Sequence, residues 1–181
     1  MYTFDEHYVI KQTCQGEKHM GITGTYIAIE NFLLSQIING EKSILELDPT
    51  QYQSLNIDKS WQAIHYLLCK DIENGKPPMG YVVPIRDDNE LDCELDFEAF
   101  YITAQQVKEA TNFLNSLDDN VLENIYDFKS MQENAVYPLH GNKNEMDTGF
   151  FYEYIYSYLI KLREYFNQTA EKGYAIILYF S

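Results

Sequence analysis

Residues Tyr174 to Phe180 form an unbroken apolar run, Tyr-Ala-Ile-Ile-Leu-Tyr-Phe, directly after a Lys172-Gly173 pair. No other segment constrains the fold as strongly. A strand that is apolar at every position has no face for water, so the run reads as a buried central strand. Lys172-Gly173 is a helix-stop signal, because glycine takes the left-handed cap at no steric cost. The segment before it, Phe150 to Lys172, carries two competing periods. Tyr152, Tyr154, Tyr156 and Tyr158 alternate as in a strand, whereas Ile155, Leu159, Leu162 and Phe166 form a helical stripe. Its length favours helix. A long helix followed by a buried strand is therefore expected at this end.

Other elements follow from local signals. Met20 to Ile29 is β-branched and aromatic enough for a strand, and Glu30 to Ile38 reads as a helix stopped by Asn39-Gly40. Leu47-Asp48-Pro49 opens a turn, and Asp58 is placed to cap a helix over Lys59 to Asp71, with Trp61, Ile64, His65 and Leu68 on one face. Asn74 to Pro78 breaks the chain, and Tyr81-Val82-Val83 is a short edge-strand candidate limited by Pro84. Ala99 to Ile102 reads as a strand that runs into a capping box, Thr103-Ala104-Gln105-Gln106. The helix it starts presents Val107, Ala110, Leu114 and Leu117, and Asp118 caps a shorter one bearing Val121, Leu122 and Ile125. The expected fold is α+β: a single compact domain, several helices packed on a small mixed or mainly antiparallel sheet. Residues 1–19 read as a peripheral N-terminal extension, and 20–181 as the domain itself.

Charge narrows the function classes. Against 13 Lys and Arg stand 28 Asp and Glu, a net charge of −15. Phosphate binding needs a basic face, so nucleic acid is not an expected partner, and neither is an anionic membrane surface. A basic protein partner fits. Cys14, Cys69 and Cys93 are odd in number and hold no C-x-x-C, which suits reduced thiols and a cytoplasmic location. Residues 1–20 do not read as a signal peptide, and no apolar run approaches the ~20 residues of a membrane span.

The most distinctive local pattern lies between Glu90 and Phe97, where acids and apolar residues alternate. On a strand, period two places Glu90, Asp92, Glu94 and Asp96 on one face, with Asp88 and Glu98 continuing the row. Such a row guards an edge strand against pairing with another sheet, or docks a Lys- and Arg-rich partner; the third alternative is that Asp87 to Glu94 is a solvated loop and the strand starts near Leu95. The remaining site candidates are aromatic and imidazole groups. Trp61 and His65 stand one helical turn apart, and Tyr137-Pro138-Leu139-His140-Gly141 supplies a phenol and a second imidazole. Trp61, His65, Tyr137 and His140 together could bind a ring or hold a general base; the plainer alternative is a packed helix face with His65 bonded to a backbone carbonyl. No two His or Cys sit at a metal-ligand spacing that would complete a site, Asp87 to Glu98 fails the calcium-loop pattern, and no cofactor or nucleophile motif is present. Neither a cofactor nor a metal is expected, and catalysis stays open.

Four segments together resemble the YfbM-like family of small bacterial proteins of unknown function. They are Met20-Gly21 with Tyr26; Leu55-Asn56-Ile57-Asp58-Lys59-Ser60-Trp61 with Ile64-His65 and Leu67-Leu68; Tyr101-Ile102-Thr103 with Val107, Tyr126-Asp127, Met131 and Tyr137-Pro138; and Ala170 to Tyr179. The resemblance spans about residues 20–180, and it implies a compact α+β fold and no particular activity. Residues 1–19 and the alternating acids are not features it accounts for. Two functions are carried forward: a non-catalytic protein-binding module that masks a basic partner, as an immunity protein or antitoxin does, and a small-ligand-binding protein or enzyme built on the four aromatic and imidazole residues.

Overall fold

The last strand is the axis of the molecule. In a computed structural model that describes residues 21–92, 98–139 and 147–181, β4 (Ala175–Phe180) pairs along its whole length with β1 (Gly24–Ile29). On its other side it pairs with β3 (Ala99–Ile102), and β1 pairs outward with the short β2 (Ser54–Asn56). The order is β2-β1-β4-β3, antiparallel throughout.

Strand alternation sends β4 into two cores. Ile176, Leu178 and Phe180 join the larger one, with Tyr26, Ala28, Phe100 and Ile102 from the neighbouring strands. Ala175 and Ile177 join a smaller one on the opposite face, with Ile27, Ile29 and Ala99. That is why the run has no polar position. Helices α2 (Trp61–Cys69), α3 (Ala104–Ser116), α4 (Asp119–Ile125), α5 (Phe128–Glu133) and α6 (Thr148–Lys172) contribute to the larger core. Leu34 of α1 (Asn31–Ile38), with Ile44 and Leu47 from the loop after it, covers the smaller.

Local signals match the helices closely. Thr103 and Gln106 form the reciprocal capping box at the start of α3, and Asp118 accepts from the Val121 amide to cap α4. The stripe Ile155, Leu159, Leu162 and Phe166 is fully buried on α6, and Gly173 ends the helix at φ +67.

Two local expectations fail. Asp58 does not cap α2. It sits at φ +50 within a 3-10 turn, Asp58–Ser60, and its carboxylate accepts a hydrogen bond from Tyr154 of α6 instead. Tyr81-Val82-Val83 forms no strand. Met79–Tyr81 is a 3-10 turn, and the buried Val82 and Val83 give their carbonyls to side chains, Tyr26 and His65, instead of to a ladder. Gly80 packs so closely on the Gly75 backbone that any Cβ there would collide with it, which keeps this stretch coiled.

The alternating acids are described in part. Asp87–Asn89 is a 3-10 turn, and the extended conformation begins at Glu90, which bridges Phe100 of β3. The Leu91 amide donates to the Ala99 carbonyl, Leu91 is buried in the smaller core, and Glu90 and Asp92 are exposed. Period two holds over these three residues. Cys93, Glu94, Leu95, Asp96 and Phe97 lie outside the described residues, as does His140.

Candidate functional site

Residues singled out from the sequence fall into two neighbourhoods, one around α2 and one along the outer edge of β3.

Trp61 opens α2 and is half-buried. Its indole N–H donates to the Ile22 carbonyl at 3.0 Å. Its ring stacks on Tyr137 with centroids 5.4 Å apart and leans on Phe180 at 4.5 Å. Tyr137 is held from the other side, since its amide donates to Gln62 Oε1 at 2.7 Å. Burial pushes the Tyr137 phenol above its ordinary value, and the negative charge of Asp58 adds to this. Two of the four aromatic and imidazole candidates are therefore in contact.

His65 is engaged elsewhere. It is buried, and its Nδ1 lies 2.8 Å from the Val83 carbonyl, which can only accept. Nδ1 therefore carries the proton. Burial lowers its pKa from the ordinary 6.5, opposed by the Val83 and Glu73 carbonyls. The ring packs against Gly75, as does the Cys69 sulfur, and a Cβ at Gly75 would collide with both. Burial raises the Cys69 thiol to about 12, helped by the charge of Asp71, so it is a protonated thiol and a poor nucleophile near neutral pH. Neither of two clefts formed by the described residues is lined by Trp61, His65 or Tyr137. No group of three or more His, Cys, Asp or Glu among the described residues could hold a metal ion.

The second neighbourhood is acidic. Glu73, Asp87, Glu90 and Glu98 line a small cleft of about 60 Å³ together with Arg86, Ile85 and Phe100. Arg86 is its single cation among the described residues, and that charge is already met: Nε and one terminal nitrogen each donate to the Asp88 carboxylate at 2.8 Å. The fork raises the Arg86 pKa and lowers that of Asp88. Glu98 is left facing like charges. Its carboxyl is raised first by desolvation in the cleft, then by Glu90 and Glu73. Glu73 could not be placed here from the sequence, because it follows α2 and reaches β3 only through the fold. Glu90 could, from the alternation, and Asp92 stands two residues beyond it; Glu94 and Asp96 lie outside the described residues.

Comparison with known proteins agrees with this architecture. The model of DUF1877, a domain of unknown function, matches residues 20–179. The crystal structure of YfbM, a protein of unknown function from Escherichia coli, superposes with a TM-score of 0.68 at 20% identity, over 88% of this chain and 99% of that one. At that identity the likeness shows a shared fold. No curated protein matches the chain.

Proposed function

This chain belongs to the DUF1877 family, and from that premise we propose that it is a non-catalytic binding module whose acidic β3 edge docks a Lys- or Arg-rich protein. The observation that carries this reading is the crowding of Glu73, Glu90 and Glu98 into one cleft where the one cation among the described residues, Arg86, is spent on Asp88. Like charges held together cost stability, and a positively charged side chain entering the cleft would relieve that cost. Beyond Arg86–Asp88, the described residues hold one further ion pair, the exposed Lys129–Glu133. Among the described residues, the excess of acid is thus largely uncompensated. The partner chemistry is that of a basic protein, and masking such a partner is the role this reading assigns.

The test uses a lysine-rich peptide as probe, titrated at several salt concentrations. Changing Glu73, Glu90 and Glu98 together to Gln should weaken binding at least tenfold and flatten its salt dependence. A control of equal charge change, Glu41, Glu123 and Glu171 to Gln, should weaken it much less. Equal losses in the two variants would reduce the reading to nonspecific attraction by net charge.

A second reading, a small-ligand site, is favoured by the contact of Trp61 with Tyr137. Trp61 is the only tryptophan, so its fluorescence would report a ligand there directly.

A further inference from the structure

A larger cleft of about 460 Å³ opens on the far side of the sheet from the acidic edge, where three chain segments end side by side. They are the passage from β1 into α1, the turn that leads into β2, and the exit from α6 into β4. Leu33, Tyr52 and Tyr174 supply apolar and aromatic wall. Glu30, Gln53 and Lys172 supply polar groups. Its volume falls in the range of small-molecule sites, about 300–1,000 Å³, and its lining is more polar than most of them.

Lys172 is the group that selects. Its ammonium donates to Gln53 Oε1 at 2.7 Å, and the Gln53 amide donates in turn to Gln168, whose own amide donates to Glu164. The Gln53 backbone carbonyl also accepts from the Tyr165 hydroxyl. Gln53 is thereby fixed from several sides, and the lysine head is held at the cleft by a neutral amide. No carboxylate pairs with Lys172 among the described residues, although acids outnumber bases 28 to 13 in the chain. With Gln53 Oε1 its one acceptor among the described residues, two of its three ammonium hydrogens remain for a ligand. The last turn of α6 attracts a lysine by itself, through the helix dipole, but that attraction does not explain the cleft in front of it. The walls are steadied because the Asn31 side-chain amide donates to the Gly173 carbonyl at 2.9 Å, tying the start of α1 to the end of α6.

We propose that this cleft binds a flat aromatic molecule bearing one carboxylate, with the ring between Leu33, Tyr52 and Tyr174 and the carboxylate on Lys172. The single cation sets the charge, and Glu30 at the rim disfavours a second negative group. The site is separate from the acidic edge and does not depend on it.

The experiment is an amide NMR titration of the full chain with 2-naphthoate and, in parallel, with the neutral 2-naphthamide. Saturable shifts are expected at Leu33, Tyr52, Gln53 and Tyr174 with both probes. Lys172→Gln should weaken naphthoate about tenfold and change naphthamide by less than about a factor of two. Leu33→Trp should fill the cleft and block both. Should Lys172→Gln fail to fold, a salt titration of the unaltered chain decides the same point: naphthoate must weaken with ionic strength and naphthamide must not. Shifts absent from these four residues at millimolar probe, or centred on Trp61 and Tyr137, would overturn the proposal. So would an equal loss of both probes in Lys172→Gln.

Discussion

The Tyr154 hydroxyl donates to Asp58 Oδ2 at 2.9 Å, joining α6 to a residue 96 positions earlier in the chain. Asp58 itself stands at φ +50, and its amide is held by Asn56 Oδ1. One side chain thus serves a strained turn and a helix contact together. A hydrogen bond to a charged acceptor contributes about 1.5–3 kcal/mol when shielded and less at a half-buried site. Tyr154→Phe should therefore cost about 1–2 kcal/mol in urea unfolding. Asp58→Ala should cost more than Asp58→Gly, because alanine loses the bond and also resists the left-handed backbone that glycine accepts. The reverse order would mean that φ +50 is not maintained in solution.

Trp61 has two separable contributions. Trp61→Phe keeps a ring against Tyr137 and Phe180 but strips the Ile22 carbonyl of its donor, which should cost about 1 kcal/mol. Trp61→Ala removes the ring contacts as well and should cost about 3 kcal/mol, the low end for a large aromatic because the site is half-buried. Denaturant midpoints followed by circular dichroism measure both. Near-equal values would show that the stacking contributes little.

His65 sets a pH dependence of definite sign. Its folded pKa lies below the ordinary 6.5, so the unfolded chain binds the proton more readily. Its contribution to stability is whole above about pH 6.5 and is lost as pH falls from there through the depressed folded value, at up to about 1.4 kcal/mol per pH unit. His65→Gln keeps a donor for the Val83 carbonyl and should remove this loss below about pH 6.5. NMR should find the His65 ring titrating below the ordinary 6.5. A ring that titrates freely near 6.5 would contradict its burial.

Glu98 should act in the opposite direction. Its folded pKa is raised, so its contribution is full below the ordinary 4.5 and is lost as pH rises through the folded value. Glu98→Gln should accordingly stabilise the protein at pH 7 and leave its stability at pH 4 nearly unchanged. Thermal melts at the two pH values decide this, and a loss at pH 7 would show that Glu98 has a stabilising partner.

The part before Met20 is proposed to be dispensable to the fold, since the family match begins there. A variant that starts at Met20 should melt within about 4 °C of the full chain. A larger drop would place residues 1–19 against the core.

The amino-acid sequence by itself determined the elements whose cause is local or periodic. The apolar run became β4 because a strand buried on both faces leaves no polar position. The α6 stripe, the Thr103–Gln106 box, the Asp118 cap and Gly173 were legible because each acts within a turn or two of chain. Only the tertiary structure decided the rest. Asp58 has the chemistry of a helix cap, yet Tyr154, far along the chain, claims its carboxylate. Val82 and Val83 have strand propensity, yet Tyr26 and His65 take their carbonyls, and Gly80 must press against Gly75. Trp61 and His65 are neighbours by spacing, yet they face different surroundings, because what a side chain meets is set by the segments packed on it. The gathering of Glu73 with Glu90 and Glu98, and the setting of Lys172 beside Gln53, join residues with no pattern in common along the chain. Periodicity records burial along one element, whereas a site is made where separate elements meet.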